Sequence, residues 1–214
     1  MASDRKTYFL LKRLHSLCGL VPVGVFVAFH LFENMNSLRG AAAYNEATAT
    51  LRSLPLLYVI ECCVIWIPIA FHALLGVYLM RQARYNVESY GTRANLAYTL
   101  QRATGIILLL FIAYHLYETR FAGIPADRMY QTLAADYANP LIFWFYVAGI
   151  LSAAFHLSNG LWSFSISWGL VPGQKAQDMV WKGCMVLGAV VAFMGINALL
   201  GFTGHGILLF QPRP

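Results

Sequence analysis

Four histidines sit inside runs that are otherwise as apolar as lipid: FVAFHLFE at 26–33, AFHALLGVY at 70–78, FIAYHLYETR at 111–120 and AFHLSNGLW at 154–162. An imidazole without a partner is costly in hydrocarbon, so each position asks for one. The phrases pair up, the first with the third and the second with the fourth. His72 follows His30 by 42 residues and His156 follows His115 by 41. One such histidine, taken alone, reads as a ring hydrogen-bonded between helices. Four in a repeat ask for chemistry that uses two opposed imidazoles at each of two places. Bis-histidine haem iron fits, because neutral nitrogen donors suit iron and a porphyrin buries its apolar face in a helix bundle. Double ligation leaves no open position on the iron, which implies electron transfer and excludes oxygen chemistry.

The elements that position these rings follow from composition. The 214 residues are 59% hydrophobic and 11% charged. No Asp, Glu, Lys or Arg occurs in 14–32, 62–80, 137–174 or 183–212, and 103–117 is a shorter gap between Arg102 and Glu118. A spanning helix takes about 20 apolar residues. Backbone amides facing lipid must bond within their own segment, so helix is the economical choice. The expectation is an all-α integral membrane bundle in a single domain over 1–214, with five helices at roughly 15–38, 56–80, 99–120, 140–168 and 180–203. A soluble helical core would need polar faces that these segments lack.

Basic residues give the orientation. With the N-terminus cytoplasmic, Arg5, Lys6, Lys12, Arg13, Arg81, Arg84, Arg93, Arg102, Lys175 and Lys182 lie inside, and Arg39, Arg52, Arg120, Arg128 and Arg213 outside. Ten against five favours N-in and C-out. The net charge of +6 is thus a topology signal, and no charge stripe suggests nucleic acid. No small-residue cleavage site follows the basic N-terminus, which reads as a retained first helix. Cys18, Cys62, Cys63 and Cys184 fall inside helices without CxxC or CxxCH spacing, so haem would be held by coordination alone.

The repeating unit is a two-helix hairpin with one histidine on each arm. Two hairpins inserted in the same direction are most simply related by a pseudo-twofold axis along the membrane normal. Such an axis keeps depth constant, so it pairs His30 with His115 and His72 with His156. His30 is nine residues from Arg39 and His115 five from Arg120, which puts that pair towards the outer face. His72 is nine residues from Arg81, in the inner half, and symmetry places His156 beside it. Gly19, Gly76, Gly105, Gly149 and Gly160 would let a flat macrocycle approach the helix backbones. A zinc or di-iron cage would need an HxxxH pair or carboxylates at the same depth, and neither is present. The inside loops carry no nucleotide or iron-sulfur signature. The electron source is therefore another polypeptide, and the drain is most simply a lipid-soluble quinone.

RLHSLCGLVPVGVF, LQRATGIILLLF, YHLYETR and FHLSNGLWSF closely resemble the dihaem cytochrome b subunit of succinate dehydrogenases and fumarate reductases. The resemblance covers nearly the whole chain, with five helices in matching order. It implies a multi-pass subunit in the cytoplasmic membrane of a prokaryote. That subunit anchors a flavoprotein and an iron-sulfur subunit on the cytoplasmic side, and two b haems relay electrons between the clusters and a quinone, typically menaquinone. The implied axial ligands are His30, His72, His115 and His156. Glu33 and Glu118, each three residues after an outer ligand, are candidates for proton exchange with quinone. His15, Ser16, Gln101 and Arg102 are candidates for contacts to inner haem propionates or a quinone headgroup. Two other readings stay open, a b subunit of a hydrogenase or formate dehydrogenase and a purely structural anchor.

Overall fold

A computed structural model describes residues 2–82 and 86–208. Arg84 and Arg213, counted in the charge asymmetry, lie outside the described residues. Among the described residues five helices are long and apolar enough to cross a membrane: α1 (Lys6–Arg39), α3 (Leu57–Arg81), α4 (Arg93–Phe121), α6 (Pro140–Ser167) and α7 (Gln174–Phe202). Two short helices, α2 (Ala41–Arg52) and α5 (Met129–Tyr137), lie in the connections at the end of the bundle away from the N-terminus. Among the described residues there is no strand.

The five spans agree with the expected number, and three of them start earlier than expected. Helix is continuous from Ala2, α4 begins at 93 instead of 99, and α7 begins at 174 instead of 180. The expectation followed the uncharged residues, whereas backbone hydrogen bonding runs past the hydrocarbon into turns whose basic side chains reach water. Local chemistry sets the starts. Thr92 accepts from the Asn95 amide to cap α4, and the Asn139 side chain accepts from the Leu141 amide ahead of Pro140 at the first turn of α6. The alanine-rich α2 has high intrinsic propensity, a signal that counting hydrocarbon lengths passes over.

Three spans are not uniform. A π-helical stretch occupies Gly19–Gly24 in α1, around Pro22, and others occupy Glu61–Trp66 in α3 and Tyr117–Phe121 at the end of α4. Each widens one turn to take an extra residue.

Packing is uneven. In the most apolar window of α7, 39% of residues are buried inside the protein, against 6% in α1 and in α3. The α1–α3 hairpin is therefore thinly packed, and its apolar exterior suits lipid. At the far end α2, α5, α6 and α7 share a core of Tyr44, Met129, Leu133, Tyr137, Tyr146, Leu199 and Phe202. The Asn45 amide donates to the Asp127 carbonyl and the Gln131 side chain and accepts from the Tyr130 amide, which ties α2 to α5. The buried Ser37 hydroxyl donates to the Ala198 carbonyl at 2.7 Å, seating the end of α1 on α7. Nearer the N-terminus, Trp162 donates to the Gln177 carbonyl, and Arg93 pairs with Asp178 across α4 and α7.

Candidate metal centre: two facing histidine pairs

At the far end, His30 of α1 meets His115 of α4 with ring centroids 5.6 Å apart. Nearer the N-terminus, His72 of α3 meets His156 of α6 at 6.1 Å. Each meeting joins one arm of the first hairpin to one arm of the second.

The surroundings decide which ring nitrogen is available. His72 Nδ1 lies 3.0 Å from the His15 carbonyl, to which it donates. His156 Nδ1 donates to the Thr104 hydroxyl at 3.2 Å, because that hydroxyl sends its own proton to the Leu100 carbonyl at 2.8 Å. His115 Nδ1 donates to Tyr146 Oη at 3.1 Å, and Tyr146 in turn donates to the Glu118 carboxylate. An imidazole that donates its Nδ1–H in this way keeps a lone pair on Nε2. His30 differs, since its neighbour is a donor. The Asn34 amide donates to the His30 carbonyl at 2.7 Å and lies 3.3 Å from Nε2, and Tyr44 donates to the Asn34 carbonyl oxygen at 3.1 Å.

These pairs fit an iron between them. Two metal–imidazole bonds of about 2 Å each put ring centres about 6 Å apart, close to both observed separations. Among the described residues no group of three or more His, Cys, Asp or Glu side chains is arranged to hold a metal ion, and His15, beside the near pair, stacks flat on the His72 ring. The donor set is thus two imidazoles per site, which suits an iron whose other positions belong to a macrocycle and falls short of a tetrahedral zinc site. The glycines lie against the histidines and the residues beside them. A Cβ on Gly19 would collide with the His72 ring, and one on Gly105 would sit 3.3 Å from His156. Gly76 receives the His15 ring, Gly160 the Gln101 amide and Gly149 the Phe111 ring. They make room for the ligands and for the residues that hold them.

The remaining candidates divide. His15 stacks on His72 at 3.9 Å, and the Gln101 amide donates to the His156 carbonyl at 3.0 Å, so both belong to the near pair. Asn159 anchors Gln101 by donating to it at 2.7 Å. Ser16 accepts from the Trp168 indole, and Arg102 folds back over the Tyr98 ring. Glu118 is 7% exposed and also accepts from Tyr114 at 3.2 Å, whereas Glu33 is half-buried. Glu61, the acidic residue deepest in a helix by sequence, is bound by two bonds from Arg120 at 2.9 and 3.2 Å and joins α3 to α4. His205 hydrogen-bonds Thr203 near the C-terminus, away from both pairs.

Sequence reasoning missed Tyr146, Thr104, Asn34 and Tyr44. Asn34 had a signal, one helical turn after His30, and Thr104 adjoins Gly105. Tyr146 and Tyr44 reach the far pair from other helices, and no spacing announces them. Asn34 and Tyr44, with His30 and His115, help to line a cavity of about 90 Å³, together with Thr48, Thr119 and Tyr137.

Residues 93–196 match the family model described as "Succinate dehydrogenase/Fumarate reductase transmembrane subunit". The chain is also 37% identical over 204 residues to the "Succinate dehydrogenase cytochrome b558 subunit" of Bacillus subtilis (strain 168), covering 95% of this chain and 100% of that one. Two opposed histidine pairs in a five-helix bundle, the family model over 93–196 and the relative's likeness over nearly the full length agree: the chain belongs to the membrane-anchor cytochrome b family of succinate dehydrogenases and fumarate reductases.

Proposed function

We propose that this subunit holds two b haems, one between His30 and His115 and one between His72 and His156, and serves as the electron relay between an iron-sulfur partner and a membrane quinone. The observation that carries the reading is that both pairs face each other at about the separation iron requires, with Nδ1 engaged on three of the four rings. Iron so held supplies one-electron transfer. The relative's name, a cytochrome b558, supports haem b in particular.

The chain's own residues bind, orient and exclude water. His15 presents its carbonyl to His72 and its ring to the same imidazole, and Thr104 and Gln101 hold His156 from side and backbone. The repeat supports the pairing, because Gly19 faces His72 as Gly105 faces His156, and Gly76 faces His15 as Gly160 faces Gln101. One irregularity is absorbed locally. His30 follows Gly19 by eleven residues and His115 follows Gly105 by ten, and the π-helical Gly19–Gly24 takes up the extra one.

Orientation follows the basic residues, with the N-terminus inside. Near that end Arg13 lies over Phe9 and Trp168, and Arg93 over Trp181, as cations and aromatics do at a membrane interface. The flavoprotein and iron-sulfur subunits of the family dock there, and the chain supplies no dicarboxylate chemistry of its own. Quinone, of the menaquinone type, reacts towards the outer pair. Its protons come through the outer cavity, whose volume of about 90 Å³ has room for water. Glu33, half-buried one turn beyond His30, is the candidate for exchange, whereas the Glu118 carboxylate is taken up by the Tyr114 and Tyr146 hydroxyls.

A reduced-minus-oxidised spectrum of the purified chain, joined to co-purification, tests this. Two b-type haems and a flavin-bearing partner that oxidises succinate or reduces fumarate are the expected result. A haem-free chain reduces it to a tether, and a hydrogenase or formate dehydrogenase partner redirects it.

A further inference from the structure

The two pairs differ in what stands behind their ligands. His72 and His156 donate Nδ1–H hydrogen bonds to neutral acceptors, a backbone carbonyl and a threonine hydroxyl. His115 donates to a phenol oxygen whose own hydroxyl is bound to a carboxylate. Tyr146 is 4% exposed and has one proton, so donating to Glu118 turns its lone pairs towards the imidazole. Glu118 accepts from Tyr114 as well, which fixes the carboxylate between two helices. The other arm differs, since the Asn34 amide nitrogen lies 3.4 Å from His30 Nδ1 and 3.3 Å from its Nε2.

We propose that Tyr146, held by Glu118, is the positioning residue of the outer site: it fixes His115 with Nε2 free for iron and passes the carboxylate's charge to the imidazole. The proposal rests on the two-haem reading above. Outer partners of a ligating histidine fix its tautomer and raise its basicity. An acceptor backed by a carboxylate does so more strongly than a neutral one, because bonds in such a chain polarise one another. A more basic imidazole favours the more positive, oxidised iron. Removing either Tyr146 or Glu118 should therefore raise the reduction potential of the outer haem and leave the inner one where it was.

The test is a potentiometric titration of the intact complex, followed by haem absorption and low-temperature paramagnetic resonance, for wild type, Tyr146→Phe, Glu118→Gln and the double variant. Both single variants should move the same single haem upward. The expected size is about a tenfold change in its oxidised-to-reduced ratio at fixed potential, which is about 59 mV for a one-electron couple. The double variant should move it no further than Tyr146→Phe does, since Glu118 acts through Tyr146. Thr104→Val should move only the other haem. Unmoved potentials in both single variants, or equal shifts of both haems, overturn the proposal while leaving two haems in place. A wild type without haem overturns the reading beneath it as well. If Tyr146→Phe does not assemble, Glu118→Gln decides, with one haem raised in support and none raised against.

Discussion

At the scale of single residues, the four ligand candidates were legible because a histidine in an apolar run is conspicuous, and the repeat pairs them. The groups that orient them were hidden. A threonine beside a glycine looks like an ordinary helix residue until its hydroxyl is seen to accept from His156 Nδ1 at 3.2 Å. Replacing it with its near-isostere, Thr104→Val, keeps the shape and deletes the acceptor. Loss of such a partner typically costs 10–100-fold in metal affinity, so the inner haem should be lost selectively during detergent washing, measured by haem per chain. The same reasoning separates Glu33 from Glu118. Their matched sequence positions suggest equal roles, but one is half-buried and the other sits behind two phenols. Burial and a phenolic hydroxyl arriving from another helix are facts of tertiary packing, which the local pattern does not carry.

At the scale of elements, the five spans were legible from uncharged stretches, since hydrocarbon thickness demands them. The starts of α1, α4 and α7, the two short helices and the π-helical turns were not, because they depend on caps, on propensity outside the hydrocarbon and on a single extra residue. The glycines illustrate the difference. Their presence beside the histidines was plain in the sequence, and what they admit was not. At Gly19 an added methyl meets the ring of His72, which is held in place by its bond to His15, whereas at Gly105 the gap to His156 is 3.3 Å. Gly19→Ala should therefore cost more than Gly105→Ala, in the range of about 1–3 kcal/mol seen for overpacking. Thermal unfolding of the two variants, with retention of the inner haem as a second reading, checks the order. The Arg120–Glu61 pair is a clip between α3 and α4. Glu61→Gln should weaken the clip, seen as a lower melting temperature, and leave the proton stoichiometry of quinone reduction unchanged.

At the scale of the whole molecule, two sites at different depths have a use only if electrons cross the membrane. Moving one electron from a negative inside to a positive outside gains about 2.3 kcal/mol per 100 mV if the full potential is crossed, and two electrons gain about twice that. That is enough to drive succinate electrons onto a low-potential quinone, so an uncoupler should slow succinate-to-menaquinone activity in sealed vesicles. Activity indifferent to the potential would move the quinone site to the inner face. Partner cross-links should map to the end bearing Arg13, Arg81, Arg93 and Lys175, and a footprint on 39–55 or 121–139 would reverse the orientation. All of this stands on paired histidines holding two haems, and haem content per chain in the wild type and the four single His→Ala variants tests that most directly. Two haems in the wild type are expected, with one spectral species missing from both His30→Ala and His115→Ala and the other missing from both His72→Ala and His156→Ala. A wild type with fewer than two haems, or a common species lost by His30→Ala and His72→Ala, would contradict the account.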